Sequence, residues 1–292
     1  LYECGTSEGS VSLSDVCASR DIAMTPVRRP TLDEIIELVL RGGWPGTISL
    51  PFKYAIKTPA AYVRQIIDRD IHRVDNVRRD KHKVELLMRS LARNESTVAG
   101  VATLRKDIAA GDGVEIEDNT LSSYLDALSR LFVLENQKPF ASSMRSDVRV
   151  KVSEKRHFCD PSIAAALLKA TPAKLENDLN TLGFLFESLV ERDLRTYAEA
   201  FDGELYHYQD YRNREIDAVI ECPDGEWTAV EVKLGSNQIE TAAKSLLDIK
   251  SQFEADRSSR PPKSLAVVVG LAGAAYRRPD GVYVLPITSL RP

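Results

Sequence analysis

The sequence is thin in the residues that metalloproteins and secreted scaffolds depend on. Its four cysteines (Cys4, Cys17, Cys159, Cys222) are scattered over 292 residues. None has zinc-site spacing and none belongs to a disulfide framework. The four histidines (His72, His82, His157, His207) are as dispersed, which argues against a zinc enzyme. Such cysteine usage reads as a reducing cytoplasm. No apolar run reaches the roughly 20 residues that span a bilayer, and no signal peptide opens the chain, so no membrane partner is expected. A G-x-x-x-x-G-K-[ST] phosphate loop is missing too. GTSEGS at 5–10 lacks the lysine and has the wrong spacing. Nor is there an excess of positive charge: 39 Lys and Arg against 43 Asp and Glu leave a net −4. That excludes a generally basic nucleic-acid coat but not a local basic patch.

What remains is an ordinary globular composition, 43% hydrophobic and 28% charged. The length fits about one to three domains. The chain starts at Leu1, and LYECGTSEGS reads as the continuation of something cleaved or of a longer protein. Residues 1–30 look loop-like. TLDEIIELVLR (31–41) predicts an amphipathic helix with Thr31 and Glu34 as a capping box, ended by RGGWPG. Residues 60–74 predict a second helix. From Arg64 to Lys83 there are seven Lys and Arg against four Asp. Arg64, Arg78 and Arg79 are the nucleic-acid candidates of this stretch, and His72 and His82 are expected to be solvated.

Residues 83–140 hold three short helical patterns and then a hairpin, the winged-helix layout. Asn119 is expected to cap the third helix. Thr120, Ser122, Ser123 and Asp126 fall on its exposed side, where such a module reads DNA. Residues 84–140 hold six basic and nine acidic side chains, a net −3. That matches phosphates poorly, and the same layout also serves for protein docking.

After about residue 178 the pattern becomes α-β-β-β-α-β-β. A helix at 181–201 precedes strands at Glu204–Gln209, Glu215–Glu221 and Trp227–Leu234, with PDGE as the last hairpin turn. A helix from about Gln238 to Phe253 leads to the apolar strand LAVVVG. The β-α-β part predicts a parallel crossover, which puts AVEVKLG (229–235) mid-sheet. Side chains alternate along a strand, so Glu231 and Lys233 share one face and Val230, Val232 and Leu234 the other. Burying an unpaired charge costs several kcal/mol, so partners are needed. Asp217 in REIDAVIE lies beside Glu231 if the two strands pair. A divalent cation would relieve two facing carboxylates, and an oxygen site suits Mg²⁺ or Mn²⁺. Glu187 on the first helix could complete the pocket, with Gly183 one turn earlier allowing close approach. Lys233 could orient water or stabilise a developing phosphate charge. The competing account is a buried Glu–Lys pair with Asp217 solvated at a strand end. Trp44 is expected to be a packing anchor. Tyr206, Tyr208 and Tyr211 are expected to pack rather than stack on bases.

The order Glu187, Asp217, Glu231-Val232-Lys233, helix, strand resembles the PD-(D/E)XK nuclease superfamily over roughly residues 180–290. The resemblance implies metal-binding Asp217 and Glu231, joined by Glu187, and a Lys233 that assists phosphodiester hydrolysis. This chain departs from the pattern in having Ile216, not proline, before Asp217. Across nearly its whole length the chain also resembles prokaryotic AAA+-type ATPases with a C-terminal domain of unknown function. VSLSDV, RGGWPG, YVRQIIDRDI, NTLSSYLDALSRLFVLENQKPF, HFCDPSIAAALL, GFLFESLVERDL, REIDAVIE and AVEVKLG run in order, with Asp160 in the place of that family's aspartate. This resemblance implies an ATPase core before Leu1, which would hold the ATP. It also makes that core and a homo-oligomer expected partners. The expected fold is α/β plus α-helical: a linker and helical region (1–82), a winged-helix-like domain (83–150) and a restriction-endonuclease-like domain (151–292). The expected function is that of a nuclease-like ATPase C-terminal portion, either cutting DNA with Mg²⁺ or serving, without catalysis, as a module that binds nucleic acid or protein.

Overall fold

The computed structural model describes residues 1–75, 77–141, 153–210, 214–256 and 259–292. Tyr211 and the segment 142–152, which holds the hairpin tip expected of the 83–150 domain, lie outside the described residues. The architecture is mixed α/β, with a helical stretch ahead of a mixed sheet. Among the described residues no helix is long and apolar enough to cross a membrane. The chain forms two compact units that interleave in sequence. One comprises Leu1–Ile35, Lys138–Val152 and Val190–Pro292, and the other Ile36–Gln137 and Ser153–Leu189.

The first unit is built on strands β1 (Val11–Ser12), β2 (Thr25–Pro26), β3 (Lys138–Pro139), β4 (Glu204–Gln209), β5 (Glu215–Glu221), β6 (Trp227–Gly235), β7 (Ser264–Leu271), β8 (Ala274–Arg277), β9 (Tyr283–Pro286) and β10 (Leu290–Arg291). Eight of these form one sheet in the order β2-β8-β9-β7-β6-β5-β4-β3, and β1 pairs with β10. β5 and β6 form the expected antiparallel hairpin. Its turn closes through Cys222 N donating to the Glu226 carbonyl (2.8 Å), with Gly225 at φ +76°. A left-handed residue is what such a turn requires, and glycine supplies it without strain. β6 and β7 run parallel, joined by the helix Ile239–Ala255.

That helix lays Ile239, Ala242, Ala243, Leu246, Ile249 and Phe253 on the sheet. Trp227 sits at the centre, with ring centroids 4.8 Å from Phe140 and 5.1 Å from Phe253. Its indole N–H donates to the Arg260 carbonyl at 3.0 Å. Each large apolar side chain buried here contributes about 1.5–3 kcal/mol. Tyr206 and Tyr208 pack as expected, against Phe140 (5.9 Å) and Phe253 (5.5 Å). Residues 1–30 depart from the expected loop. Val11–Ser12 and Thr25–Pro26 are short strands whose partners, β10 and β8, lie near the far end of the chain.

In the second unit, helices Lys81–Arg93, Val101–Asp112 and Asp118–Arg130 precede an antiparallel bridged hairpin, Leu134 to Phe158 and Gln137 to Lys155. A third segment joins through Thr97 to Arg156. Asp80 caps the first helix, accepting from His82 N (2.9 Å) and Lys83 N (3.2 Å). The third helix is capped by Glu117, not Asn119, and Glu117 makes no side-chain cap bond. The segment expected as one helix at 60–74 is Lys57–Gln65, a π-turn at Ile66–Asp70 and a last turn at Ile71–Arg73. RGGWPG docks on the DPS of residues 160–162. Gly43 N donates to Asp160 (2.8 Å), and the Trp44 indole N–H donates to the Ser162 hydroxyl (2.9 Å). Gly42 sits at φ +71°, where a Cβ would lie 2.4 Å from Asp160 Oδ1 and Ser162 Oγ. Trp44 also packs on Tyr62 at 5.0 Å, so it is the expected anchor.

Candidate functional site

Along β6, Trp227 and Ala229 face the helix Ile239–Ala255. Alternation continues that row with Glu231 and Lys233. On β5, Val219 belongs to the same face, and so does Asp217. The ladder pairs Ala218 with Val230, and one further step sets Asp217 opposite Glu231. The apolar row therefore ends in three charged groups. Asp217 Oδ2 accepts from Val232 N at 2.8 Å and from Lys233 Nζ at 3.2 Å. Lys233 Nζ lies 2.6 Å from Glu231 Oε2. The side chains are 12% exposed at Asp217, 8% at Glu231 and 25% at Lys233. One ammonium thus sits against both carboxylates, in a pocket largely withdrawn from water.

Burial works against the charge on Lys233. The charges of Asp217 and Glu231, with their hydrogen bonds, overcome it and hold Lys233 protonated well above the ordinary lysine value.

Glu187 belongs to the second unit, where its carboxylate pairs with Lys155. A Cβ added at Gly183 would meet nothing within 4 Å, so the expected close approach is not what this glycine serves. Three buried acids of the first unit, Glu191, Asp193 and Asp210, went unnoticed in the sequence. Glu191, one helical turn after Glu187, is 3% exposed and pairs with Arg195. Asp210, also 3% exposed, receives Arg214 N (3.0 Å) and Arg214 Nε (2.6 Å) at the entry to β5. Glu191 was detectable as an acid four residues from Glu187 on the same helix face. Asp210 carried no periodic signal. Among the described residues no group of three or more His, Cys, Asp or Glu gathers as a metal cage.

The basic candidates separate by environment. Arg64 and Arg78 are exposed. Arg79 is 5% exposed and forked onto Asp75 (2.8 and 2.7 Å), with a third bond to the Ile71 carbonyl (2.9 Å). It braces its own loop. His72 is half-buried, not solvated, and its Nδ1 accepts from Arg79 N at 3.2 Å. Together with Arg78, Asp80 and Lys81 these residues line a cleft of about 690 Å³. On the helix Asp118–Arg130, Ser122, Ser123 and Asp126 are exposed and Thr120 is half-buried. The Ser122 hydroxyl is turned back onto the Asp118 carbonyl (2.8 Å).

Comparison with known families divides the chain in two. Residues 32–174 match a family described as a domain of unknown function, DUF8612. Residues 182–290 match a second domain of unknown function, DUF4143. No curated protein and no solved structure matches the chain. The Asp217–Glu231–Lys233 pocket falls inside the second match, and the basic cleft inside the first.

Proposed function

We propose that the sheet unit is a PD-(D/E)XK-like nuclease module that hydrolyses phosphodiesters with Mg²⁺ or Mn²⁺ at Asp217 and Glu231. The observation that supports this is the convergence of Asp217, Glu231 and Lys233 at the end of a buried apolar row. Charged groups there cost stability, and a catalytic use accounts for their presence. The donor set fits the ion. Mg²⁺ takes one or two carboxylates and leaves its remaining positions to water and substrate phosphate. When bound, it would polarise the phosphoryl oxygen and lower the pKa of a coordinated water. The chain's own residues do the rest. Val232 N fixes one oxygen of Asp217. Lys233 keeps its proton, and its ammonium faces the charge that develops on the phosphorus-bound oxygens.

In the same proposal the three helices and bridged hairpin of the second unit form a winged-helix module that docks nucleic acid or a protein. The whole chain is then the C-terminal portion of an AAA+-type ATPase. The test uses plasmid and branched DNA with the full chain and Mn²⁺. Cutting that disappears in Asp217→Ala is expected, and cutting that survives the substitution overturns the assignment. Mn²⁺ titration by calorimetry reads the site without requiring turnover.

A second reading has its own observation. Lys233 already bridges both acids, as an inactive, binding-only descendant of such a fold would arrange. Absence of Mn²⁺ binding to the unaltered chain selects this reading.

A further inference from the structure

In the second unit, the end of the helix Asp118–Arg130 breaks a conformational rule without a packing reason. The helix closes in a Schellman motif. Val133 N donates to the Leu128 carbonyl at 3.0 Å, and Phe132 N donates to the Ser129 carbonyl at 2.9 Å. The motif needs a left-handed residue at position 132, and Phe132 takes that conformation at φ +56°. Glycine or asparagine suits such a position, because a bulky side chain strains it. The apolar contact that accompanies the motif falls to Leu128 and Val133, both fully buried. Phe132 itself is 77% exposed, the most open large apolar side chain among the described residues. Its ring adds little to the core and sits where glycine would be more stable. An exposed aromatic held at a strained position points to a use outside the chain.

The surroundings of Phe132 are cationic. Leu131, the residue before it, lines a cleft of about 290 Å³ with Asp70, Arg73, Val74 and Arg130. The larger cleft of His72, Arg78, Arg79, Asp80 and Lys81 lies on the same chain segment. Asp75 links the two. Arg79 of the larger cleft is forked onto it, and Arg130 Nη1 of the smaller cleft lies 3.8 Å from its carboxylate. The acids here are engaged inside the chain. Asp75 holds these two arginines, Asp70 accepts from Gln65 Nε2 at 3.0 Å, and Asp80 caps its helix. Arg73 and Arg78 are exposed and form no ion pair among the described residues. Lys81 pairs with Asp68, but both side chains are more than half exposed, and such a pair is weak enough to exchange for a phosphate. His72 Nδ1 accepts from Arg79 N, so the ring keeps its proton on Nε2 as a donor. An open aromatic ring beside cations is the combination that holds single strands, with bases stacked on the ring and phosphates on the charges. A duplex already spends the faces of its bases on its own stack.

We propose that this face of the second unit binds single-stranded nucleic acid, with Phe132 stacked on a base and Arg73, Arg78 and Arg130 meeting the phosphates beside it. The inference rests on the reading that the second unit docks nucleic acid, and it names the form that is taken. It does not depend on chemistry at Asp217 and Glu231.

The test measures fluorescence anisotropy of the full chain with a labelled oligothymidylate of about 20 nucleotides and with a duplex of the same length. EDTA is present, so cutting does not enter the result. The single strand should bind more tightly than the duplex. Phe132→Gly should weaken single-strand binding by roughly 5- to 150-fold, the loss of one stacked base. The same substitution should hold or raise the thermal midpoint, because glycine relieves the left-handed site, so lost binding is not lost folding. Phe132→Trp keeps a ring there and should keep the binding. Arg73→Ala with Arg78→Ala should make the slope of log K against log salt shallower by about 1.4. Tighter binding of the duplex, or single-strand binding that Phe132→Gly leaves unchanged, overturns this inference alone and makes Phe132 an anchor for a protein partner. A Phe132→Trp chain that binds as weakly as Phe132→Gly overturns the stacking role. A chain that binds neither nucleic acid overturns the inference together with the docking reading beneath it.

Discussion

Lys233 holds two facing acids together at the end of β6. Removing it takes away the ammonium that bridges Asp217 and Glu231. Breaking a buried pair by removing one partner costs about 3–5 kcal/mol. Lys233→Ala should therefore lower the unfolding free energy by an amount in that range, seen as a lower denaturant midpoint. Mn²⁺ should restore much of the loss if both carboxylates can share an ion, because a ligand that binds only the folded state stabilises it. Denaturant unfolding with and without Mn²⁺ checks both parts. An unchanged midpoint on adding Mn²⁺ counts against shared metal binding. This site was legible because alternation fixes which residues share a face, and a charged row in a buried strand stands out. Arg79 was not legible. Its neighbours in sequence are exposed, and only the π-turn that brings the Ile71 carbonyl and Asp75 around it makes it a brace.

At the scale of elements, long periodic stretches declared themselves and short ones did not. The capping box formed as read, with Thr31 N donating to Glu34 Oε2 at 2.8 Å and Glu34 N donating to Thr31 Oγ1 at 3.2 Å. Thr31→Ala should cost about 1 kcal/mol, measured in urea. The β5–β6 hairpin and the parallel crossover were legible from the turn residues and an apolar run. β1 and β2 were not, since a two-residue strand has no period and its pairing depends on residues more than 240 positions away. β8 was missed for the same reason of length. Gly42 belongs to this scale, because it seats RGGWPG against the helix Pro161–Leu167. Gly42→Ala forces a left-handed alanine and a clash with Asp160 and Ser162. Strain of that kind costs about 1–3 kcal/mol. The expected outcome is a lower thermal midpoint and faster proteolysis around residues 42–47.

The loop around Asp75 carries a pH dependence. Its hydrogen bond from Arg79, with one from Val77 N, holds the Asp75 carboxyl well below the usual carboxylate range. A depressed carboxylate adds stability that is complete above its unfolded value, about 3.9. That stability is lost as pH falls toward the lower folded value. Asp75→Asn should remove this part of the acid sensitivity, so that stability falls less steeply below about pH 4. Denaturant midpoints between about pH 2 and 6 test the sign. A variant that loses stability with acid as steeply as the unaltered chain contradicts it.

For the whole molecule, the question is how many cations a nucleic acid could meet. Lys81 pairs with Asp68, Arg79 with Asp75, and Arg130 with Asp75 and Asp126. Within the basic stretch this leaves Arg64, Arg69, Arg73, Arg78 and Lys83 outside any ion pair among the described residues, in a chain of net −4. Each phosphate neutralised adds about −0.9 to the slope of log K against log salt. If this stretch is the contact surface, duplex binding by the full chain should show a slope no steeper than about −4.5. Arg64→Glu with Arg78→Glu should make it shallower by about 2. Substituting Ser122 and Ser123 on the exposed helix should change sequence preference instead, with little effect on slope, because base contacts specify and phosphate contacts position. A slope near −8 in the unaltered chain would locate the contact surface elsewhere. An unchanged slope in the double variant would remove this stretch from it, and the cleft of His72, Arg78 and Lys81 would then have no part in holding nucleic acid.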